Sequence, residues 1–324
     1  MIRWLLLRIA QSFATLATAL VILFVLMRLV PGDPVSAYIG ERRMSVEDTR
    51  KIRQRYCLDC PLPRQFAGFA GRAVHGDLGT SIHFPGQPVT QLIRERLPAT
   101  LLLGGTVLLL NFTLGIGLGV WQAMTKGRWI DRLLTTFSLV GYAMPSFWLG
   151  ILLAWIFAVK LRWLPPGGIT SIYLSAEAGW WTTATDVATH LMLPAITLSI
   201  VSIAATMRYQ RDAMIDVLRL DYIRTARAKG LTEGAVIARH GWRNAIFPVL
   251  TLFGLWLPIL ATGSVFVESV FNWNGLGLLA TEAIGARDYP LLMGTAILVS
   301  SLIVLGGLLT DLGYMVLDPR VRHR

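Results

Sequence analysis

The chain has 324 residues, of which 54% are hydrophobic and only 15% charged, with a formal net charge of +11. Soluble domains carry about a quarter charged residues, so this composition excludes an ordinary soluble fold and describes a protein whose solvent is largely hydrocarbon. The surplus of bases follows from membrane orientation, as shown below, and calls for no nucleic-acid partner.

Apolar runs long enough to cross a hydrocarbon core of ~30 Å predict six transmembrane helices, at residues 9–29, 101–124, 133–159, 191–207, 249–270 and 291–312. The first follows Arg3 and Arg8 as a signal peptide would, but it is too long and no small-x-small cleavage site follows Leu29. It is read as an uncleaved anchor. Val30-Pro31-Gly32-Asp33-Pro34 stops it abruptly. The chain then divides into 1–30, an extracytoplasmic loop region 31–96, and a five-helix core 97–324 that contains a polar interruption at 216–247. Within the loop, 45–56 reads as a charged helix capped by Ser45, and 75–82 (HGDLGTSI) as a Gly-rich turn segment. With so few aliphatic residues the loop cannot bury a core alone, and it is expected to pack on the outer mouth of the bundle.

Cys57 and Cys60 are the two cysteines, spaced C-x2-C. Three readings stay open: a local disulfide, unlinked thiols, or two metal ligands beside His75 or His83. A structural zinc needs four ligands and nothing completes the set, so no metal site is expected.

Further along, Gly115, Gly117 and Gly119 give one G-x-x-x-G, which means either close helix packing or ordinary glycine enrichment. Pro145, Pro194 and Pro258 kink their helices, as hinges or merely as shape. Trp180 and Trp181 fit an interfacial aromatic belt. Glu268 lies near membrane depth, where an acid is a candidate for a pathway or docking role unless it reaches water at the outer end. Asn272, Asn274 and Gly277 form a turn, and Arg287-Asp288-Tyr289-Pro290 leads into the last helix.

An even number of spans puts both termini on one side, and charge decides which. The terminal side's short flanks hold Arg3, Arg8, Lys126, Arg128, Arg132, the bases from Arg208 to Arg243, and Arg320, Arg322 and Arg324. The two shorter loops of the other side hold only Lys160, Arg162 and Arg287. By the positive-inside rule the termini and the 216–247 segment are cytoplasmic; long loops such as 31–96 cross regardless of charge. That segment predicts two short helices, 216–229 and 233–242, broken at Gly230, with Thr232 capping the second. Such a unit is a rigid knob that a soluble partner can grip.

Residues 216–247 (DVLRLDYIRTARAKGLTEGAVIARHGWRNAIF) resemble the "EAA" coupling loop of ABC importer permeases. Anchored on Gly230, the motif places Arg224, Thr225 and Ala226 at the EAA positions and 240–243 at its I-x-L-P positions, with Ala226 and Gly230 matching the consensus. The variant DYIRTARAKGL…RHGWRNAIFP resembles one branch, the B-type permease subunits of dipeptide, oligopeptide and nickel importers. The PGDP segment, HGDLGTSI, the outer re-entry at 268–290 and the DLGYMVLDPRVR tail are similar to that branch as well. The resemblance implies a type I ABC importer permease fold in the bacterial inner membrane. It implies a homologous C-type permease partner, two cytoplasmic ATPases contacted through Arg224, Thr225, Ala226, Arg227, Lys229, Gly230 and Leu231, and an extracytoplasmic substrate-binding protein. Its implied cargo is di- or oligopeptides, or alternatively nickel, a metal chelate or glutathione. No G-x-x-x-x-G-K-[ST] occurs, so ATP and Mg are expected on partner chains and no cofactor on this one. No HExxH, G-x-S-x-G or acid dyad suggests catalysis. An ion-driven secondary transporter is the competing class; its paired midplane acids and inverted repeats are not visible.

Overall fold

In the computed structural model the described residues are 2–29, 47, 50, 59–175, 177–250, 252, 254, 256 and 265–317, the side chains of 2–9, 28 and 311–317 excepted. They are overwhelmingly helical; an isolated antiparallel bridge between Thr80 and Pro88 takes the place of any strand among them. The helix expected over 45–56 lies outside the described residues save for Glu47 and Arg50, which are helical, and Cys57 also lies outside them.

Helix α1 (Ile2–Leu29) runs beside the last helix, α11 (Tyr289–Leu317). Between them α2 (Leu62–Val74) docks through Phe66 and Phe69 on Phe24, Met27 and Met293, with the Phe24 and Phe66 rings edge to face at 5.4 Å. Helix α3 (Val89–Met124) is followed by α4 (Trp129–Ala143) and α5 (Ser146–Lys160), and then by α6 (Trp180–Leu218). A two-helix elbow follows, α7 (Asp221–Ala228) and α8 (233–245), then the short helices α9 (Val265–Val270) and α10 (Leu276–Gly285).

Helix α6 is the column around which the rest is arranged. Half of its span is buried within the chain, against 6% for α1. Its inward face is lined by small and hydroxyl residues, Ala195, Thr197, Ser199, Ser202, Ala204 and Thr206. Such a face lets backbones approach closely where water-driven burial is absent. Helix α3 exploits this: a Cβ at Gly119 would lie 2.7 Å from the Met207 carbonyl oxygen, and one at Gly115 3.0 Å from Thr206. The G-x-x-x-G is therefore a packing device, whereas Gly117 meets nothing.

Two helix lengths exceed their expectation. The apolar run 101–124 is part of a 36-residue helix that already begins at Val89, and 191–207 is part of one of 39 residues. At 1.5 Å per residue, α6 is ~58 Å long, nearly twice the hydrocarbon thickness. Hydropathy marks only the stretch in lipid, while the backbone ladder continues through polar turns. The boundary at 96/97 accordingly falls inside α3.

The apolar run 133–159 is divided at Pro145, the proline expected to kink it. Helices α4 and α5 meet at 104°. Pro145 disfavours the helical region for its predecessor, and Met144 is extended at φ −78°, ψ 129°. Among the described residues four helices are long and apolar enough to cross a membrane, or five if this bent pair is one span. Half of the expected span 249–270 lies outside the described residues.

Candidate functional site

The elbow is built on the end of α6. The expected first helix, 216–229, is corrected: Asp216 to Leu218 complete the last turn of α6, and only Arg219 and Leu220 intervene before α7 starts at Asp221. Leu220 is extended (φ −72°, ψ 149°), which turns the chain, and Asp221 then supplies the acid that favours a helix start.

Helix α7 ends as the sequence predicts. Gly230 sits at φ +80°, its N–H donates to Arg227 O at 2.9 Å, and the Leu231 N–H donates to Ala226 O at 3.4 Å. This is the paired bonding of a Schellman turn. A Cβ at Gly230 would meet nothing within 4 Å. Glycine is needed there for its left-handed backbone, not for room. Thr232 stands at the start of α8 with an extended backbone, but its side chain makes no capping bond, a second correction.

The residues assigned to the motif divide into two kinds. Ala226 is buried with Ile223 and Val236 against Leu218, so it holds α7 to α8 and does not present a surface. Arg227 is clamped by Glu233, with Nε to Oε1 at 2.6 Å and Nη2 to Oε2 at 3.3 Å, tying the two helices across the turn. Arg224, Thr225, Lys229, Gly230 and Leu231 face outward. Among the described residues Arg224 has only an exposed contact with Asp221 at 3.3 Å. Leu220, Tyr222, Leu231 and Trp242 add exposed apolar surface beside these bases. The Asn244 amide donates to Tyr222 Oη and to His240 O, both at 3.0 Å, closing the elbow internally.

The elbow is seated firmly. Met214 of α6 and Ala123 of α3 are buried against Ala245 of α8. One level further in, Asp131 at the start of α4 receives Arg211 Nε at 2.8 Å and Nη2 at 3.0 Å, and also the Gly127 N–H at 2.9 Å. Sequence reading missed this bidentate pair. Its signal was an acid in the first turn of a membrane helix, where an unpaired charge would be costly.

Two carboxylates pin the opposite end. Asp288 is fully buried, receives the N–H groups of Ile82 and His83 at 2.8 and 3.0 Å and the Ser81 hydroxyl, and caps α11 through the Leu291 N–H at 3.0 Å. The HGDLGTSI segment is thus fastened to the start of the last helix. An Asp two residues before Pro290 is a readable helix-cap signal, but its long-range partners are not. Glu268 is also fully buried and does not reach water, which corrects one of the two readings offered for it. Its carboxylate receives the Thr100 hydroxyl at 3.1 Å and the Leu278 N–H at 3.0 Å, while Thr100 Oγ1 receives the Leu276 N–H at 2.7 Å. Trp273 Nε1 donates to Ala99 O at 2.9 Å beside it. These bonds staple the α9–α10 corner to α3. His75 Nδ1 donates to the Gly71 carbonyl at 2.8 Å, and the His83 ring lies edge to face on Phe84.

A bundle of long apolar helices carrying a rigid basic elbow is the architecture of a multi-pass membrane protein. Residues 115–323 match the family model of the binding-protein-dependent transport system inner membrane component, and residues 1–104 match the N-terminal model of the same membrane component. The chain belongs to this family, as a multi-pass B-type permease subunit of the ABC importer class. It is 39% identical to the oligopeptide transport system permease protein AppB of Bacillus subtilis, over 98% of both chains. It is 35% identical to the dipeptide transport system permease protein DppB of Escherichia coli K12 over the full length of both. It is 36% identical, again over the full length of both, to the glutathione transport system permease protein GsiC of Pectobacterium atrosepticum.

Proposed function

We propose that this chain is one half of the pore of a peptide importer. It would span the membrane six times with both termini and the elbow in the cytoplasm, beside a homologous C-type permease, above two ATPases and below an extracytoplasmic binding protein. The positive-inside bias supports the orientation, and relatives named for oligopeptide and dipeptide transport support the cargo. Glutathione, itself a short peptide, is the second reading, favoured by the relative named for it.

The observation that carries the mechanism is the rigid joint between elbow and column. Closure of the ATPase dimer on ATP draws the gripped elbows together. Only two residues separate α7 from α6, and α8 is packed on Met214, so the elbow cannot swing alone. Its displacement is passed to α6 as to a lever, and α3, packed on α6 at Gly115 and Gly119, follows. Arg224, Lys229 and Leu231 contact the ATPase, whereas Ala226, Arg227 and Gly230 hold the shape that presents them. ATP and Mg reside on the ATPase chains, and Cys57 and Cys60 form a local disulfide without a part in transport. Glu268 serves as a corner pin of the outer end.

Vanadate-sensitive uptake of a labelled dipeptide into vesicles, dependent on the binding protein, tests the scheme. Uptake driven by an ion gradient without ATP would refute it. Labelling of Lys229 from the outer side alone would invert the topology.

A further inference from the structure

Between α4 and α6 lies a cavity of about 390 Å³ lined by Ser138, Tyr142, Ala204, Arg208, Tyr209 and Asp212 among others. Two charges and two tyrosines stand in that lining. Arg208 is exposed, has no ion pair among the described residues, and directly follows the apolar stretch 191–207, one helical turn before the Arg211–Asp131 pair. An exposed guanidinium with no carboxylate of its own presents its fork of donors to a carboxylate ligand. Asp212 follows on the same face of α6, with one carboxylate oxygen held by Arg211 Nη1 at 3.1 Å. The Tyr142 and Tyr209 rings flank the charges and are both more than half exposed.

The geometry points to this cavity as a binding site for the free termini of a short zwitterionic peptide, with Arg208 receiving its carboxylate and Asp212 its ammonium. The assignment rests on the peptide-importer reading and adds to it the residues that hold the cargo on its way inward. Positions i and i+4 of a helix lie ~6 Å apart along its axis. Two extended residues span at most about 7 Å, so the termini of a dipeptide match the spacing of the two charges. Asp212 shares its charge with Arg211, while Arg208 has no ion pair among the described residues, so the carboxylate end is the more tightly held. The tyrosine faces accept varied side chains through sequence-tolerant apolar contact, and their hydroxyls can bond the peptide amide.

The test uses the complete transporter, with partner permease, ATPases and binding protein, in proteoliposomes. Dialanine uptake and ATP hydrolysis are measured together. Loss of a charge-assisted bond is worth roughly tenfold or more, so Arg208→Gln is expected to lower dialanine delivered per ATP by at least that factor. Arg208→Lys should restore most of it, and Asp212→Asn should give a smaller loss. Co-purification of the subunits and ATPase stimulation by the loaded binding protein should stay at wild-type levels. Unchanged dialanine per ATP in Arg208→Gln overturns the assignment alone. Loss of subunit co-purification in the same variant also overturns it, by making the cavity a seam between chains. A wild-type complex that moves no dialanine overturns both this assignment and the peptide-importer reading.

Discussion

The two ends of the bundle are polar in opposite ways. At the end opposite the elbow the charges point inward: Asp288 and Glu268 are fully buried, and each receives backbone and hydroxyl donors, some of them from distant segments. At the elbow they point outward: Arg224 and Lys229 stand on the surface, and the shape beneath them is held by an apolar core and a Schellman turn. The difference teaches what each end is for. A buried carboxylate with several donors fixes one geometry, because any departure strands the donors. Exposed bases on a rigid support cost the fold little and remain available to a partner.

Substitutions at the two ends should therefore fail in different ways. The largest effect is expected from Asp288→Ala, which strands four donors; about 3 kcal/mol or more of stability should be lost, since each stranded group costs ~1–3 kcal/mol. Rapid proteolysis within 75–88 and a lowered thermal midpoint in detergent would show it. Glu268→Ala should cost about 2 kcal/mol by the same reasoning, with Glu268→Gln milder because an acceptor oxygen is kept. Asp131→Ala leaves the Arg211 guanidinium partly buried without its bidentate partner and is expected to cost 1–3 kcal/mol, about the worth of a charge-assisted bond; thermal unfolding checks it.

At the elbow the order of stability and function reverses. Gly230→Ala forces a side chain into the left-handed region at about 1–2 kcal/mol, without any clash. Gly230→Asp adds charge and should leave the chain in the membrane while abolishing ATPase association in a pull-down. Normal recovery of the ATPases with that variant would count heavily against the coupling role. The smallest stability effect should come from Arg224→Ala, whose contact with Asp221 is solvent-exposed; the thermal midpoint should not move, yet ATPase recovery should fall. If Arg224→Ala lowers the midpoint as Asp288→Ala does, the contrast between the two ends is wrong.

Much of this protein was legible without coordinates, because the bilayer imposes strong rules. A long uncharged run has few options other than a membrane helix. Gly230 announced its own turn, since a glycine after a helix ending in bases points to a left-handed cap. The family pattern around it could be read from the same residues.

Tertiary structure decided the rest. Pro145 foretold a disturbance but not a bend of 104°, whose size depends on what the two halves pack against. Ala226 and Arg227 belong to the motif, yet only the packing of α7 on α8 shows that one is buried and the other clamped by Glu233. Neighbouring residues of a motif carry no mark of which face of the elbow they will occupy. Three of the four partners of Asp288 lie 205 to 207 positions away in the chain. Local propensity and hydropathy, summed over a turn or a span, hold no information at that distance. Burial of a charge is a property of the whole fold, and its meaning became readable only when the donors were found around it.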